Sequence, residues 1–427
     1  MTNNLDERSS SIPKEFQHGP IIDDSLFSHE SNEKLLLILD KSSGLAPYSH
    51  EFCKGSLDPQ VISGFVSAIT SFMCVVTGKK QSHWKTEFGS DSVLLVETGD
   101  WTIGVLTASR ETNEARSKLR RAVLEFEDCF AVLRNADGID GSAFRDFDQY
   151  IRMMFVDDRI TDRTLVMKRI EWRSAISDFK LPSVAFSVSK ILLGIEDAQT
   201  VREIAEFQNL QIEEVIKIVA KAFWCNTVFL KFIPAENDIL TLSEGTSTIL
   251  FQKSNPLNLT NASLNVIAWF DGRTPLIHFT SRMDDHEVKV LLDDLGTLVN
   301  RGFVQRISVE RRRVLLNECI LSNLTSRGTS IIGHKKMKQI FEKNRRVGGL
   351  HHPWISRVIV NDSLQARCML EESMTPTDLD DLAYALEFFI EELSRQLSKR
   401  CIGRIIRRIL RKIRNNCQAS WTPHLQN

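Results

Sequence analysis

Between Lys34 and Leu133 the spacing of the apolar residues switches between extended runs and helical repeats in a set order, which limits how this segment can fold. Two extended runs flank a turn at 42–44, and a helical repeat then begins at Pro59, a residue suited to the first turn of a helix. Three extended runs follow, separated by turns at 89–91 and 99–100, before a second amphipathic helix. The pattern predicts two strands, a helix, three strands and a helix. Apolar positions that define the two helices are Val61, Ile62, Phe65, Ala68, Ile69 and Phe72, then Leu119, Val123, Phe126, Phe130 and Leu133.

That order, with the opening ILDKSSGLAPYSHEF and the helix LDPQVISGFVSAITSF, resembles the longin and roadblock family of profilin-like folds, and most of all its archaeal longin-like members. The resemblance covers residues 34–158, under a third of the chain, with a helix near 144–156 added at the end. It implies a platform without catalytic residues that dimerises and binds small GTPases or trafficking machinery. Dimerisation alone is the open alternative. We expect the segment to fold by itself and to self-associate or bind a partner through its first helix or an edge strand.

Two further segments, 182–254 and 255–328, repeat the order helix, helix-turn-helix, strands. In the first segment Thr200 and Glu203 form a capping box, and the chain turns at Asn209. In the second segment Gly302 ends the apolar stripe of a longer helix. The strands VFLKFI and DILTLS are predicted to pair as a wing in the first segment, and strands meeting at Glu310 form the wing of the second. The pattern predicts tandem winged-helix domains. The segment from 271 onward is also similar to the small winged helix that follows polar sensor modules in signalling proteins.

Charge indicates which partner these two segments suit. A helix that reads DNA needs Lys or Arg to neutralise phosphates, yet the predicted recognition helix at 284–300 has five acids against Lys289. In the first segment Glu213 and Glu214 cancel Lys217 and Lys221. The predicted wing tip contains three candidate nucleic-acid contacts: Arg311, Arg312 and Arg313. Such contacts with the phosphate backbone position a protein on DNA but do not select a base sequence. The alternative is that this segment is a solvated turn. We therefore expect protein partners, and nucleic acid is disfavoured.

Residues 329–416 predict a small α/β module with a helix, a hairpin across 361–362 and a helix that starts at Thr375-Pro376. The last helix, CIGRIIRRILRKIRNNC, has one apolar face inside a basic rim. Such a helix lies on an anionic membrane or docks in a partner's groove. The simpler alternative is that its apolar face packs inside the module while the rim faces the acidic helix before it. The candidate membrane or partner contacts are Arg404, Arg407, Arg408, Arg411 and Lys412.

Composition and the remaining motifs bound the function. The net charge of −1 does not favour a protein that coats nucleic acid. The eight dispersed cysteines imply neither a zinc site nor a disulfide framework. Residues 1–33 are predicted as a disordered tail without a signal core, 159–181 as a charged connector and 417–427 as a second tail. Neither a nucleotide-binding glycine motif nor HExxH nor GxSxG occurs, and NADGIDG at 135–141 lacks the acids of a calcium loop. We expect no catalytic residue, cofactor or metal.

These features predict an α+β multidomain protein: an N-terminal longin/profilin-like antiparallel sheet with helices, two winged-helix domains and a C-terminal small α/β module. The expected function is that of a non-catalytic cytoplasmic adaptor or regulator. By analogy with the longin and roadblock family, it acts on small GTPases or membrane-trafficking machinery, as a homodimer and with peripheral membrane contact. One alternative is a winged-helix transcription regulator whose longin-like domain senses or dimerises. Another is a trafficking-complex subunit built on tandem winged helices.

Overall fold

The structure is a computed structural model that describes residues 32–52, 59–77, 83–87, 92–134, 141–179, 181–371, 374–400 and 403–425. These residues form a mixed fold of helices with four antiparallel sheets of five, three, two and two strands. This is the α+β class that the sequence predicts.

The N-terminal unit is built on a five-stranded sheet in the order β2-β1-β5-β4-β3. Its strands are β1 (Glu33–Asp40), β2 (Tyr48–Glu51), β3 (His83–Glu87), β4 (Val93–Thr98) and β5 (Thr102–Ala108). Helix α1 (Pro59–Thr77) covers one face, while α2 (Asn113–Cys129) and α3 (Arg145–Phe155) cover the other. Because side chains alternate along a strand, β1 sends Leu35 and Leu37 towards α1 and Leu36 and Ile38 towards α2. The predicted order of strands and helices is confirmed.

The predicted boundary of the N-terminal tail, after residue 33, lies too far along the chain. Residues 1–31 lie outside the described part, but Asn32 and Glu33 are buried, and Glu33 is the first residue of β1. Its carboxylate accepts two hydrogen bonds from Arg159, at 2.8 and 2.9 Å. A polar residue just before an apolar run resembles a tail in sequence because its partner stands more than a hundred residues away.

Two consecutive repeats follow. The first contains β6 (Leu165–Lys168), α4 (Trp172–Ala175), α5 (Pro182–Gly194), β7 (Gln199–Thr200), α6 (Val201–Gln208), α7 (Ile212–Trp224) and β8 (Val228–Lys231). The second contains β9 (Leu240–Leu242), α8 (Thr246–Leu250), α9 (Asn261–Ile267), α10 (Ile277–Thr280), α11 (Asp285–Asn300) and β10 (Val304–Arg306).

Both repeats have the same topology. The strand before the helices pairs antiparallel with the strand after them, β6 with β8 and β9 with β10. A short extended segment ahead of the helix-turn-helix pairs beside the first strand: β7 joins β6, and Pro275 forms a bridge to Ile239. Counted between the paired end residues, each repeat is 67 residues long, at 165–231 and 240–306.

The local signals predicted for the repeats are confirmed. Thr200 and Glu203 form the capping box at the start of α6, and Asn209 turns the chain with a φ of 52°. Gly302 follows α11 with a φ of 70°, a conformation that glycine adopts without steric cost. Leu291, Leu295 and Leu298 of the predicted stripe are buried.

Both predicted wings are wrong. VFLKFI supplies β8, but DILTLS supplies β9, whose partner is β10 of the second repeat. Residues 228–308, all within the described part, contain no hairpin wing. The supposed connector at 159–181 contains β6, the middle strand of the first repeat's sheet. The wings were predicted wrongly because an apolar run predicts a strand but not the strand with which it pairs. The connector was predicted wrongly because β6 has only four residues and lies in a charged segment.

The C-terminal unit is a helical bundle that carries a hairpin. It comprises α12 (Val309–Ile332), α13 (His334–His351), β11 (Val358–Val360), β12 (Ala366–Cys368), α14 (Pro376–Arg400) and α15 (Gly403–Leu425). Helix α12 packs against α13, α14, α15 and β12. The predicted hairpin is confirmed, as is the start of α14, where Thr375 Oγ1 accepts from the amide of Asp378 at 3.2 Å. The bundle's first helix begins well before residue 329, and its last continues beyond 416.

A buried carboxyl group beneath α2 makes stability depend on pH. Burial raises the pKa of Glu97 in β4 to about 7, although Arg116 and Arg120 oppose the rise. The folded state therefore binds more protons than the unfolded state between the ordinary pKa of 4.5 and about 7. In that window the free energy of unfolding decreases as pH increases.

We expect Glu97→Gln, which cannot ionise, to raise the free energy of unfolding by roughly 1 to 3 kcal/mol at pH 8 and by less at pH 5. Denaturant unfolding at both pH values measures the difference. Glu87→Gln is the matched control, because Glu87 lies on the same sheet with an exposed side chain. An equal gain at both pH values would contradict the assignment.

Candidate partner-binding surfaces

Helix α1 contains no charged residue in its 19 positions. Its inner side packs Ile62 and Val66 against the sheet. The opposite side exposes Val61, Gly64, Phe65 and Ala68, which we call the α1 outer face. Val61 leaves 67% of its surface in solvent, and a Cβ built on Gly64 would meet no atom within 4 Å. Neighbouring apolar residues exposed on one side of a helix are typical of an interaction surface, so the α1 outer face has the composition of an interface.

The turn between β1 and β2 positions this helix. The Asp40 carboxylate accepts hydrogen bonds from the amides of Ser42 and Ser43, at 3.0 and 2.7 Å, and from both hydroxyl groups. Partial burial raises the pKa of Asp40, but these hydrogen bonds outweigh it, and the net shift is downward. At the end of the turn, the carbonyl of Gly44 accepts a hydrogen bond from Ser63 of α1. The short turn thus fastens α1 to the sheet while its outer face stays in solvent.

A second apolar surface lies on the first repeat. Phe186 and Leu193 stand seven residues apart on α5, hence on one side of the helix. Both are exposed, as is Phe207 of α6. The Phe207 ring lies so close to Gly194 that a Cβ there would be 3.0 Å from it, which places Phe207 at the end of α5, where Leu193 also lies. We call Phe186, Leu193 and Phe207 the α5–α6 patch.

Part of the predicted basic rim of α15 faces solvent. Arg407, Arg408, Arg411 and Lys412 are exposed, whereas the side chain of Arg404 lies outside the described part. Arg414 pairs with Glu391 of α14 at 2.8 Å. Glu387, another acid of α14, binds Arg313 of α12 at 3.0 Å instead of a cation of α15.

The predicted packing of the apolar face of α15 is confirmed at Ile406 and Ile413, which are buried in the core of the C-terminal unit. Ile406 retains 2% of its surface, whereas its neighbour Ile405 retains 50%. One residue of difference along the helix therefore separates the packed side from the side that faces solvent.

We expect Ile406→Asp to destabilise the C-terminal unit by at least ~3 kcal/mol, because it removes a buried aliphatic side chain and buries a charge in its place. Ile405→Asp should leave the melting temperature nearly unchanged. Thermal unfolding followed by circular dichroism compares the two variants with the parent chain. Similar melting of the parent and Ile406→Asp would mean that α15 does not depend on this face.

The arginines predicted at a wing tip lie instead in the first turn of α12, which Ser308 caps. Arg311 and Arg312 are buried, and Arg313 binds Glu387. Burial lowers the pKa of Arg312, and the nearby guanidinium of Arg306 lowers it further. The prediction of a wing tip is wrong, because these residues belong to a helix. The buried guanidinium groups of Arg311 and Arg312 cannot reach a nucleic-acid backbone. The N-cap Ser308, followed by a long stretch without proline, was the signal in the sequence for a helix.

Sequence analysis did not find the polar junction on the first turns of α2. The Glu114 carboxylate lies 2.9 Å from Lys118 Nζ, 3.4 Å from Arg159 Nε and 3.3 Å from Arg306 Nη2. Burial raises the pKa of Glu114, but these cations outweigh it and hold the pKa well below its ordinary value. Burial lowers the pKa of Lys118 to about 8.

The junction continues into the other units. Ser117 donates to both carboxylate oxygens of Glu310 in α12, at 2.8 and 2.9 Å. The amide of Glu114 donates to Gln305 of β10 at 3.1 Å, and Arg306 donates to the carbonyl of Asp158 at 3.2 Å. We call these residues, with Glu33 and Arg159, the α2 junction. It fixes how the sheet, the second repeat and the helical bundle are oriented.

Neither a family model nor a curated protein matches the chain. Among the residues that the structure describes, no three His, Cys, Asp or Glu side chains form a group able to hold a metal ion. Within the same ranges, no helix combines the length and apolar character that crossing a bilayer requires.

The exposed side of α11 has the wrong sign for DNA. Asp284, Asp285 and Glu287 are exposed in its first turn, where the capping box of Asp284 and Glu287 holds them. Asp293 is also largely exposed, although it pairs with Lys231 at 2.6 Å.

We expect no tight duplex binding, with a Kd weaker than ~1 μM at ~150 mM salt, because α11 would repel phosphates instead of neutralising them. Fluorescence anisotropy with a set of labelled duplexes that differ in sequence measures it. Sub-micromolar, sequence-dependent binding at that salt would contradict the prediction.

Proposed function

We propose that this chain is a non-catalytic adaptor or regulator that acts on small GTPases or membrane-trafficking machinery through protein contacts. In this proposal residues 34–158 form a longin/roadblock-like platform, and the two repeats are winged-helix-type units that bind protein. The α1 outer face is the observation that carries it. An uncharged helix on one face of a five-stranded antiparallel sheet offers a partner an apolar surface already fixed in place.

The free energy of burying apolar surface supports a partner at the α1 outer face. Single exposed apolar side chains are common on proteins, but here four exposed positions follow the spacing i, i+3, i+4 and i+7 on a helix that no charge interrupts. Each apolar Å² removed from water on binding contributes roughly 25 cal/mol. A second copy of the chain or a small GTPase can both supply the covering surface.

The α5–α6 patch and the cations of α15 give the proposed adaptor further contact surfaces. The patch lies on the first repeat and α15 on the helical bundle, while the α2 junction holds the sheet and the bundle together. The exposed Arg407, Arg408, Arg411 and Lys412 suit an anionic membrane surface, where each cation adds ~1 kcal/mol. The transcription-regulator alternative gains no comparable support, because the second repeat exposes acids and the arginines Arg311 and Arg312 are buried in α12.

We expect the double variant Val61→Glu, Ala68→Glu to lose self-association, or capture of a small GTPase, by at least tenfold, because it puts charge on the α1 outer face. Light scattering of the full chain reports self-association. Pull-down with small GTPases loaded with GDP or a GTP analogue reports capture and its nucleotide dependence.

The matched control is Val132→Glu, at a valine after α2 that leaves 89% of its surface in solvent but lies off the α1 outer face. It should behave like the parent chain. All three proteins should melt alike, since the altered side chains are exposed. A parent chain that is monomeric and captures no GTPase would overturn the proposal, as would a double variant that binds like the parent.

A further inference from the structure

Two thiols meet where the last helix crosses the bundle. Cys319 of α12 and Cys417 of α15 are 98 positions apart in the chain, yet their Sγ atoms lie 3.2 Å apart. A disulfide has an S–S distance of about 2.05 Å, so small side-chain rotations bring the sulfurs within bonding distance. The Asn323 amide lies 3.6 Å from each sulfur. The neighbouring helical turns hold this pair together in the folded chain.

The two thiols differ in access. Cys417 is buried, whereas Cys319 is partly exposed, and both line a groove of about 440 Å³ between α12 and α15. Arg327 and Lys412, two exposed cations, line the same groove beside the thiols. The two cations attract a small anionic reagent into the groove, where the partly exposed Cys319 is easier to reach than the buried Cys417.

We propose that Cys319 and Cys417 form a redox-active dithiol that closes to a disulfide when the chain meets an oxidised low-molecular-weight disulfide such as oxidised glutathione. The carboxylates of that tripeptide suit the cationic groove. Cys319 is the attacking thiol and Cys417 the resolving thiol.

The chemistry balances in two steps. The Cys319 thiolate attacks one sulfur of oxidised glutathione, whose S–S bond breaks, and the first glutathione leaves as a thiolate that takes up a proton. Cys417 then loses its proton and attacks the Cys319 sulfur, which releases the second glutathione. Two protein thiols are oxidised, and one glutathione disulfide is reduced to two thiols.

The acid–base properties of the pair agree with this order. Burial raises the pKa of Cys417 above its ordinary value, and the hydrogen bond with Cys319 contributes to the rise. Only a thiolate attacks a disulfide, so Cys417 is poorly suited to the first step. In the second step its sulfur is already in contact with its target, which compensates for a low thiolate fraction.

Closure would tie α15 to α12. In the reduced chain the described part of α15 is held by non-covalent contacts such as those of Ile406 and Ile413. The disulfide closes a long loop, and long loops lose the most chain entropy on cross-linking. The oxidised form therefore keeps the exposed cations of α15 on the bundle.

The test treats the reduced full chain with oxidised glutathione, both in native buffer and in urea, and maps the cysteines by peptide mass spectrometry. We expect a cross-linked peptide joining 319 to 417, formed at least tenfold faster in native buffer than in urea. Cys417→Ser should instead accumulate one glutathione on Cys319. Cys319→Ser should show neither the cross-link nor glutathione on Cys417.

Cys129→Ser is the matched control, because this exposed thiol lies on α2, in the N-terminal unit. It should form the 319–417 link at the parent rate. The proposal is overturned if the native parent chain gives no such link, if glutathione adds to both cysteines without closure, or if urea leaves the rate unchanged. The comparison of the cross-linking rate in native buffer and in urea needs only the parent chain, so it can be made even if a serine variant folds poorly.

Discussion

The carboxylate of Glu114 lies where three parts of the chain meet, and the orientation of the units depends on its ion pairs. It is surrounded by Lys118 of its own helix, by Arg159 after the sheet domain and by Arg306 of the second repeat. Removing charges from water is costly, and removing one partner of a buried pair costs roughly 3 to 5 kcal/mol. The network therefore tolerates one arrangement of the units and penalises others.

Helix α2 therefore binds residues of the other units as well as the sheet that it covers. Its apolar side packs on β4 and β5, while Ser117 and Arg120 bind Glu310 of α12 and Asp380 of α14. A fragment with the boundaries 34 and 158 would lack both residues of the Glu33–Arg159 ion pair. It would also lack Arg306, which pairs with Glu114. The sheet domain and its surroundings are thus more closely joined than the change in sequence pattern near 158 indicates.

Local signals were predicted well from sequence, and long-range partners were not. The capping box of Thr200 and Glu203, the turn at Asn209, Gly302 and the start of α14 each depend on a few neighbouring residues, so the sequence alone is enough to predict them. The pairing of β9 with β10 spans more than sixty positions, and the burial of Arg311 depends on packing around Gly272. At α1 the helix was evident, but an uncharged sequence does not tell which side faces the sheet, so the α1 outer face emerged only from the structure.

The two repeats begin and end at paired residues, Leu165 with Lys231 and Leu240 with Arg306. Strands in a sheet lie about 4.8 Å apart, so the entry and exit of each repeat are neighbours in space. A segment with adjacent ends can be copied in tandem or inserted into a loop without disturbing what surrounds it. Equal length and shared topology are what tandem copying of one unit would produce. The second repeat ends on Gln305 and Arg306, and through these two residues it is attached to α2.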